Sequence, residues 1–132
     1  MFREKNGFTL LELIVVIAII ATLATIVVLQ IDSPKNKTAD AAVKAQMKEI
    51  AAQAQAYAID NNGNFLNMCT VDSIISAALN QITKNSTGPA KCETDLGGQN
   101  WAVSADLKGG GKWCLDSFGF MGDGEASSGQ CL

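Results

Sequence analysis

Histidine is missing from this 132-residue chain. With it goes the commonest general base and metal ligand at neutral pH, so no Ser/His/Asp or Cys/His arrangement can be drawn. Charge is sparse as well: 17% of residues are charged and the net charge is −3, which leaves no bulk basic footprint for nucleic acid. Aromatic residues make up 6%, and there are only two prolines. The length allows one small domain with a modest core rather than two. No enzyme is expected, and no cofactor is implied.

What the chain does have is hydrophobic residues, 48% of the total, concentrated between Phe8 and Ile31. In that run Glu12 is the only charge and Gln30 the only amide. As a helix it would reach ~36 Å at ~1.5 Å per residue, enough for a hydrocarbon core of ~30 Å. Arg3 and Lys5 precede it and Asp32 follows it, so the positive-inside rule keeps Met1 in the cytoplasm and sends the rest outward. An ordinary cleaved secretory signal is the plainer reading of such a start. Against it, the run exceeds an h-region of roughly 7–15 residues, and Ala21 and Ala24 form no clear Ala-x-Ala site. An acidic residue at the bilayer centre also costs on the order of 2.5–3.5 kcal/mol, so Glu12 asks for a partner.

Pro34 then either kinks one long helix or opens a second with Ser33 near its cap. From Lys35 to about Asn61 the pattern is amphipathic. Val43, Met47, Ile50, Ala54, Tyr57 and Ala58 recur at helical spacing, while Lys44, Lys48, Glu49 and Gln53 take other faces. Asn61-Asn62-Gly63-Asn64 stops it. Beyond lies a small head. Asp72 is placed to cap a helix from Ser73 to about Thr83, with Ile74, Ile75, Ala78, Leu79 and Ile82 apolar. Trp101–Leu107 and Lys112–Ser117 read as strands of a hairpin turned by Gly109-Gly110-Gly111. The tail from Gly119 on is glycine-rich, and without a disulfide at Cys131 it reads as loose. The fold class expected is α+β: a long N-terminal helix, apolar then amphipathic, with a small antiparallel β-sheet head.

Four cysteines, Cys69, Cys92, Cys114 and Cys131, all lie in the second half. In a chain with an exported start, two disulfides are the natural reading. Zinc fits poorly, with no Cys-x-x-Cys pair and no histidine. Of the three possible pairings the local one is expected, Cys69 with Cys92 and Cys114 with Cys131.

The segment Lys5-Asn6-Gly7-Phe8-Thr9-Leu10-Leu11-Glu12-Leu13, followed by Ile14-Val15-Val16-Ile17-Ala18-Ile19-Ile20, resembles the N-terminus of type IV prepilins and pseudopilins. A short basic leader, a Gly before a Phe, an early glutamate and a long apolar run stand in the family's order. The resemblance implies a leader of residues 1–7, a membrane and filament-core helix of 8–31, an amphipathic helix of 32–62 and a disulfide-stabilised head of 63–132. It implies cleavage between Gly7 and Phe8 by a membrane aspartyl prepilin peptidase, N-methylation of Phe8, and assembly through Glu12, whose carboxylate would neutralise a neighbouring subunit's N-terminal amine. The implied partners are further copies of the chain, the peptidase, the assembly platform with its ATPase, and the inner membrane. The implied location is the cytoplasmic membrane, then an extracellular filament. Many type IVa pilins carry a proline where this chain has Leu29 and a glycine where it has Ala21, so a more regular membrane helix is expected here.

Two further constellations stand apart. Asp116, Asp123 and Glu125, spaced by glycines, form a candidate calcium loop, as some pseudopilins hold calcium in a similar C-terminal loop. The spacing fits no EF-hand, and a solvated acidic loop is the plainer reading, so no metal is expected. Trp101 and Trp113 beside Lys108 and Lys112 could stack on single-stranded nucleic acid, but such tryptophans belong more often to a core. Three functions follow: a pilus subunit, a pseudopilin of a secretion or competence system, or a secreted disulfide-rich binding module whose apolar start is only a signal. The last would be excluded by Phe8 at the mature N-terminus.

Overall fold

A computed structural model of the chain describes residues 6–30 and 32–132, with the side chains of 26–33 outside the description. Arg3 and Lys5 of the expected leader lie outside the described residues. The chain divides into two compact units, one ending at Pro34 and one running Lys35–Leu132.

In the first unit, helix α1 runs Leu10–Gln30 without a break, as the absence of an internal proline or glycine allows. Its apolar side chains from Leu10 to Leu23 are roughly half exposed or more, because among the described residues of the unit nothing packs on them. Its threonine hydroxyls bond inward: Thr22 Oγ1 donates to Ile19 O (2.8 Å) and Thr25 Oγ1 to Ala21 O (2.7 Å). The helix thus satisfies these two hydroxyls itself, a condition for their lying in apolar surroundings. Among the described residues no helix is long and apolar enough to cross a membrane. The run expected to do so includes residues 26–31, whose side chains lie outside the description.

Helix α2 covers Asp32–Asp60 and takes in Pro34. Val43, Met47, Ile50 and Ala54 are wholly buried, and Ala58 nearly so. This is the expected stripe, and burying each large member stabilises by roughly 1.5–3 kcal/mol. The helix ends as Asn61-Asn62-Gly63 suggested: Asn62 turns left-handed (φ 57°), and Gly63 N–H donates back to Ala58 O at 2.7 Å.

A single turn, α3 (Met68–Val71), leads into α4 (Ser73–Asn85), capped by Asp72, whose Oδ1 accepts from the N–H groups of Ile74 and Ile75, each at 2.9 Å. Gln53 Nε2 donates to Asp72 Oδ2 (2.9 Å), which ties α2 to this cap. Ile75, Ala78 and Ile82 face inward, whereas Ile74, expected on the apolar face, points outward.

The sheet is antiparallel in the order β1 (Lys91–Thr94), β2 (Trp101–Asp106), β3 (Lys112–Asp116), β4 (Met121–Asp123). A small hairpin, β5 (Ala126–Ser127) and β6 (Gln130–Cys131), follows. On one face Trp101, Val103, Ala105 and Leu115 join the core formed with α2 and α4. On the other, Ala102 and Cys114 pack with Ala126 and Cys131 of the hairpin. Strand β2 is therefore buried on both sides. Helices, sheet and C-terminal hairpin make an α+β head, and the glycine-rich tail, fastened at Cys131, forms its third layer.

Disulfides join Cys69 to Cys92 and Cys114 to Cys131. The tail is held by more than Cys131: Ser104 Oγ accepts from Ala126 N (3.0 Å) and Glu93 Oε2 from Ser128 N (2.8 Å).

Candidate processing and assembly site

Residues 6–9 are irregular, and α1 begins at Leu10. The boundary is set by Thr9 and Glu12. Glu12 N–H donates to Thr9 Oγ1 (3.2 Å), while Glu12 Oε2 accepts from Thr9 N–H and from the Thr9 hydroxyl, both at 2.9 Å. The first helical bond follows, Leu13 N to Thr9 O at 3.2 Å. This reciprocal capping box satisfies two amide donors that a helix start otherwise leaves open. Its pattern, Thr9-Leu10-Leu11-Glu12, stands in the sequence, and Thr9 is the residue that a reading focused on Glu12 passes over.

Just before the cap, a Cβ added at Gly7 would meet no atom within 4 Å, and Phe8 is 85% exposed. Among the described residues no packing requires a glycine at this place. Glu12 Oε1 has no hydrogen bond among the described residues.

The other sequence candidates disperse. Asp116, expected in a solvated loop, is only 4% exposed. Its Oδ1 accepts from Phe118 N (3.0 Å) and Phe120 N (3.1 Å), and its Oδ2 from Cys131 N (3.0 Å). It organises the turn after β3 and anchors β6, which corrects the surface reading. Glu125 bonds Lys112 Nζ (2.9 Å) and lies 3.6 Å from Lys91 Nζ. The bond from Lys112 and the charge of both lysines hold the Glu125 carboxyl below its ordinary range, while Glu125 raises Lys112. Asp123 is exposed on β4. Among the described residues no three Asp, Glu, Cys or His stand together as a metal site.

Trp101 lies in the core at 2% exposure, and its indole Nε1 has no hydrogen-bond partner there. Trp113 is half-buried with Lys44 Nζ 3.9 Å from its ring centroid, a cation–π contact. Of the nucleic-acid constellation Trp101 lies inside, while Lys108, Lys112 and part of Trp113 face outward, with Lys112 engaged by Glu125.

Residues 2–28 match the family model described as the prokaryotic N-terminal methylation motif. The chain carries the type IV pilin and pseudopilin signature. No curated protein and no solved structure matches the chain. The pilin signature takes in Gly7, Phe8, the Thr9–Glu12 box and most of α1, and it ends before the head begins. A motif of this kind points to a structural subunit rather than an enzyme.

Proposed function

We propose that the chain is the structural subunit of a type IV pilus, inserted in the membrane as a precursor, cut after Gly7, methylated on the amine of Phe8 and polymerised through α1. The observation that carries this reading is the methylation motif at residues 2–28, lying on an exposed Gly7–Phe8 bond and an apolar helix with no covering partner. Among the described residues nothing crowds Gly7, and a peptidase subsite with room only for a small side chain supplies a reason for it to be small. Glu12 would pair with the Phe8 amine of the neighbouring subunit in the filament core, where an ionised carboxylate is tolerated when paired. The assembly platform, its ATPase and further copies of the chain are the partners this requires, and adhesion, motility or DNA uptake are the roles such filaments serve. A pseudopilin of a secretion or competence system shares the motif; abundant surface filaments would separate the pilus subunit from it.

Intact mass of the purified protein tests the reading. A chain beginning at Phe8, heavier by one methyl group and lighter by the hydrogens of two disulfides, is expected. A Gly7→Val precursor should stay uncut in the membrane; normal processing of that variant, or a mature chain starting elsewhere, overturns the assignment.

A further inference from the structure

We infer that Thr9 is a positioning residue for cleavage: its capping box with Glu12 stops α1 one residue short of Phe8 and thereby keeps the Gly7–Phe8 peptide out of the helix. The inference rests on the processing proposed above and adds a determinant to it. Hydrolysis needs the Gly7 carbonyl carbon open to water, whose oxygen bonds to that carbon while the Gly7–Phe8 C–N bond breaks and the Phe8 amine takes a proton. In a helix that carbonyl would be occupied by the N–H of Leu11, and the Phe8 carbonyl by the N–H of Glu12. The structure diverts the second of these donors. Glu12 N–H goes to Thr9 Oγ1 at 3.2 Å, and the helical ladder opens only with Leu13 N to Thr9 O. From the other side, Glu12 Oε2 takes Thr9 N–H and the Thr9 hydroxyl, so both ends of the box hold the chain at one register.

A second observation, independent of these bonds, points to an enzyme at this place. The methylation-motif match spans residues 2–28 and so brackets the box and the peptide before it. The apolar residues on the far side of Thr9 favour helix continuation, since in apolar surroundings every backbone group must find an internal partner. Without a cap, that pressure reaches back through Phe8. Gly7 resists it by poor propensity, more than Phe8 does.

The test uses the full-length precursor in phospholipid vesicles with a prepilin peptidase. Thr9→Val keeps the shape and removes the hydroxyl; Thr9→Ser keeps the hydroxyl. Cleavage of the Val chain should slow by about fivefold, the population change that loss of a typical cap produces. The change should appear as a raised KM with kcat little altered, because the competent conformer is rarer but reacts as before. Thr9→Ser should restore the wild-type rate. In the same chains, Cα chemical shifts of Gly7 and Phe8 should move toward helical values in Val and not in Ser. Equal cleavage of the Val and wild-type chains overturns the inference, and so does slowed cleavage with unmoved shifts, which would mean that the peptidase reads the Thr9 side chain itself. Failure of the wild-type chain to be cut at Gly7–Phe8 would instead remove the processing reading beneath it.

Discussion

At the scale of the residue, Glu12 has two claims on one carboxylate. One oxygen is spent on its own Thr9, and the other has no hydrogen bond among the described residues. Removing the side chain should cost nothing in membrane insertion, since translocon scales make a carboxylate unfavourable by a few kcal/mol at mid-bilayer. In the proposed filament, assembly would differ, because a neighbour's amine left unpaired in the core would cost roughly 3–5 kcal/mol at every subunit added. Comparing membrane-bound and sheared extracellular protein, counting only chains cut after Gly7, for wild type and Glu12→Ala should show cut chains in the membrane and no filaments; filaments from the variant would show that no such pairing occurs. Glu12 was legible in the sequence because a lone charge in an apolar run demands a reason. Thr9 was less so, since a threonine in such a run is unremarkable until its spacing to Glu12 is counted. Asp116 was misjudged for a physical cause. It shares the face of β3 that carries Cys114, and nothing local in the sequence says that a hairpin formed later in the chain covers that face.

At the scale of the element, the strongest sequence signals gave the helices. The burial stripe of α2, the left-handed stop at Asn62 and the Asp72 cap all follow from residue type and spacing. Strand β1 did not, because Lys91-Cys92-Glu93-Thr94 has no apolar alternation and is half-buried along its length; pairing with β2 makes it a strand. Strand β4, Met121-Gly122-Asp123, is hidden likewise. The β5–β6 turn did leave a trace in Ser128-Gly129, both at positive φ (50° and 81°), as a tight two-residue hairpin requires. The cap of α4 carries a pH prediction. Burial pushes the Asp72 carboxyl up, but the bonds from Gln53 and from the Ile75 and Ile74 amides together outweigh it and hold the group below its ordinary range. Its contribution is therefore full above the unfolded value of about 3.9 and fades as pH falls through the lower folded value. Asp72→Ala should lose ~1 kcal/mol at pH 7, by denaturant titration of the whole chain in detergent. That deficit should shrink below about pH 4; a deficit constant with pH would show that the charge is not what caps the helix.

At the scale of the molecule, the head is a sheet with a different cover on each face, and the two disulfides serve different layers. Cys69–Cys92 ties α3 to β1, and Cys114–Cys131 ties the C-terminal hairpin to β3. Each closes a loop of about 20 residues, worth roughly 3 kcal/mol by the chain-entropy account. Non-reducing peptide mapping should return these two pairs, and full reduction should lower stability by several kcal/mol; free thiols or crossed pairs in the map would contradict the arrangement. The helical side of the head was legible because its apolar residues are periodic, whereas the hairpin side depends on Ser104, Asp116, Glu93 and a disulfide, contacts between residues far apart in sequence. The two tryptophans fall on different parts of this design. In spectroscopic terms, the indole of Trp101, buried in the core and without a hydrogen-bond partner, should emit as a solvent-shielded chromophore, while Trp113 should emit under the charge of Lys44. The chain thus contains its own pair of optical reporters, one for the interior shared by α2, α4 and the sheet, the other for the seat of α2 on β3.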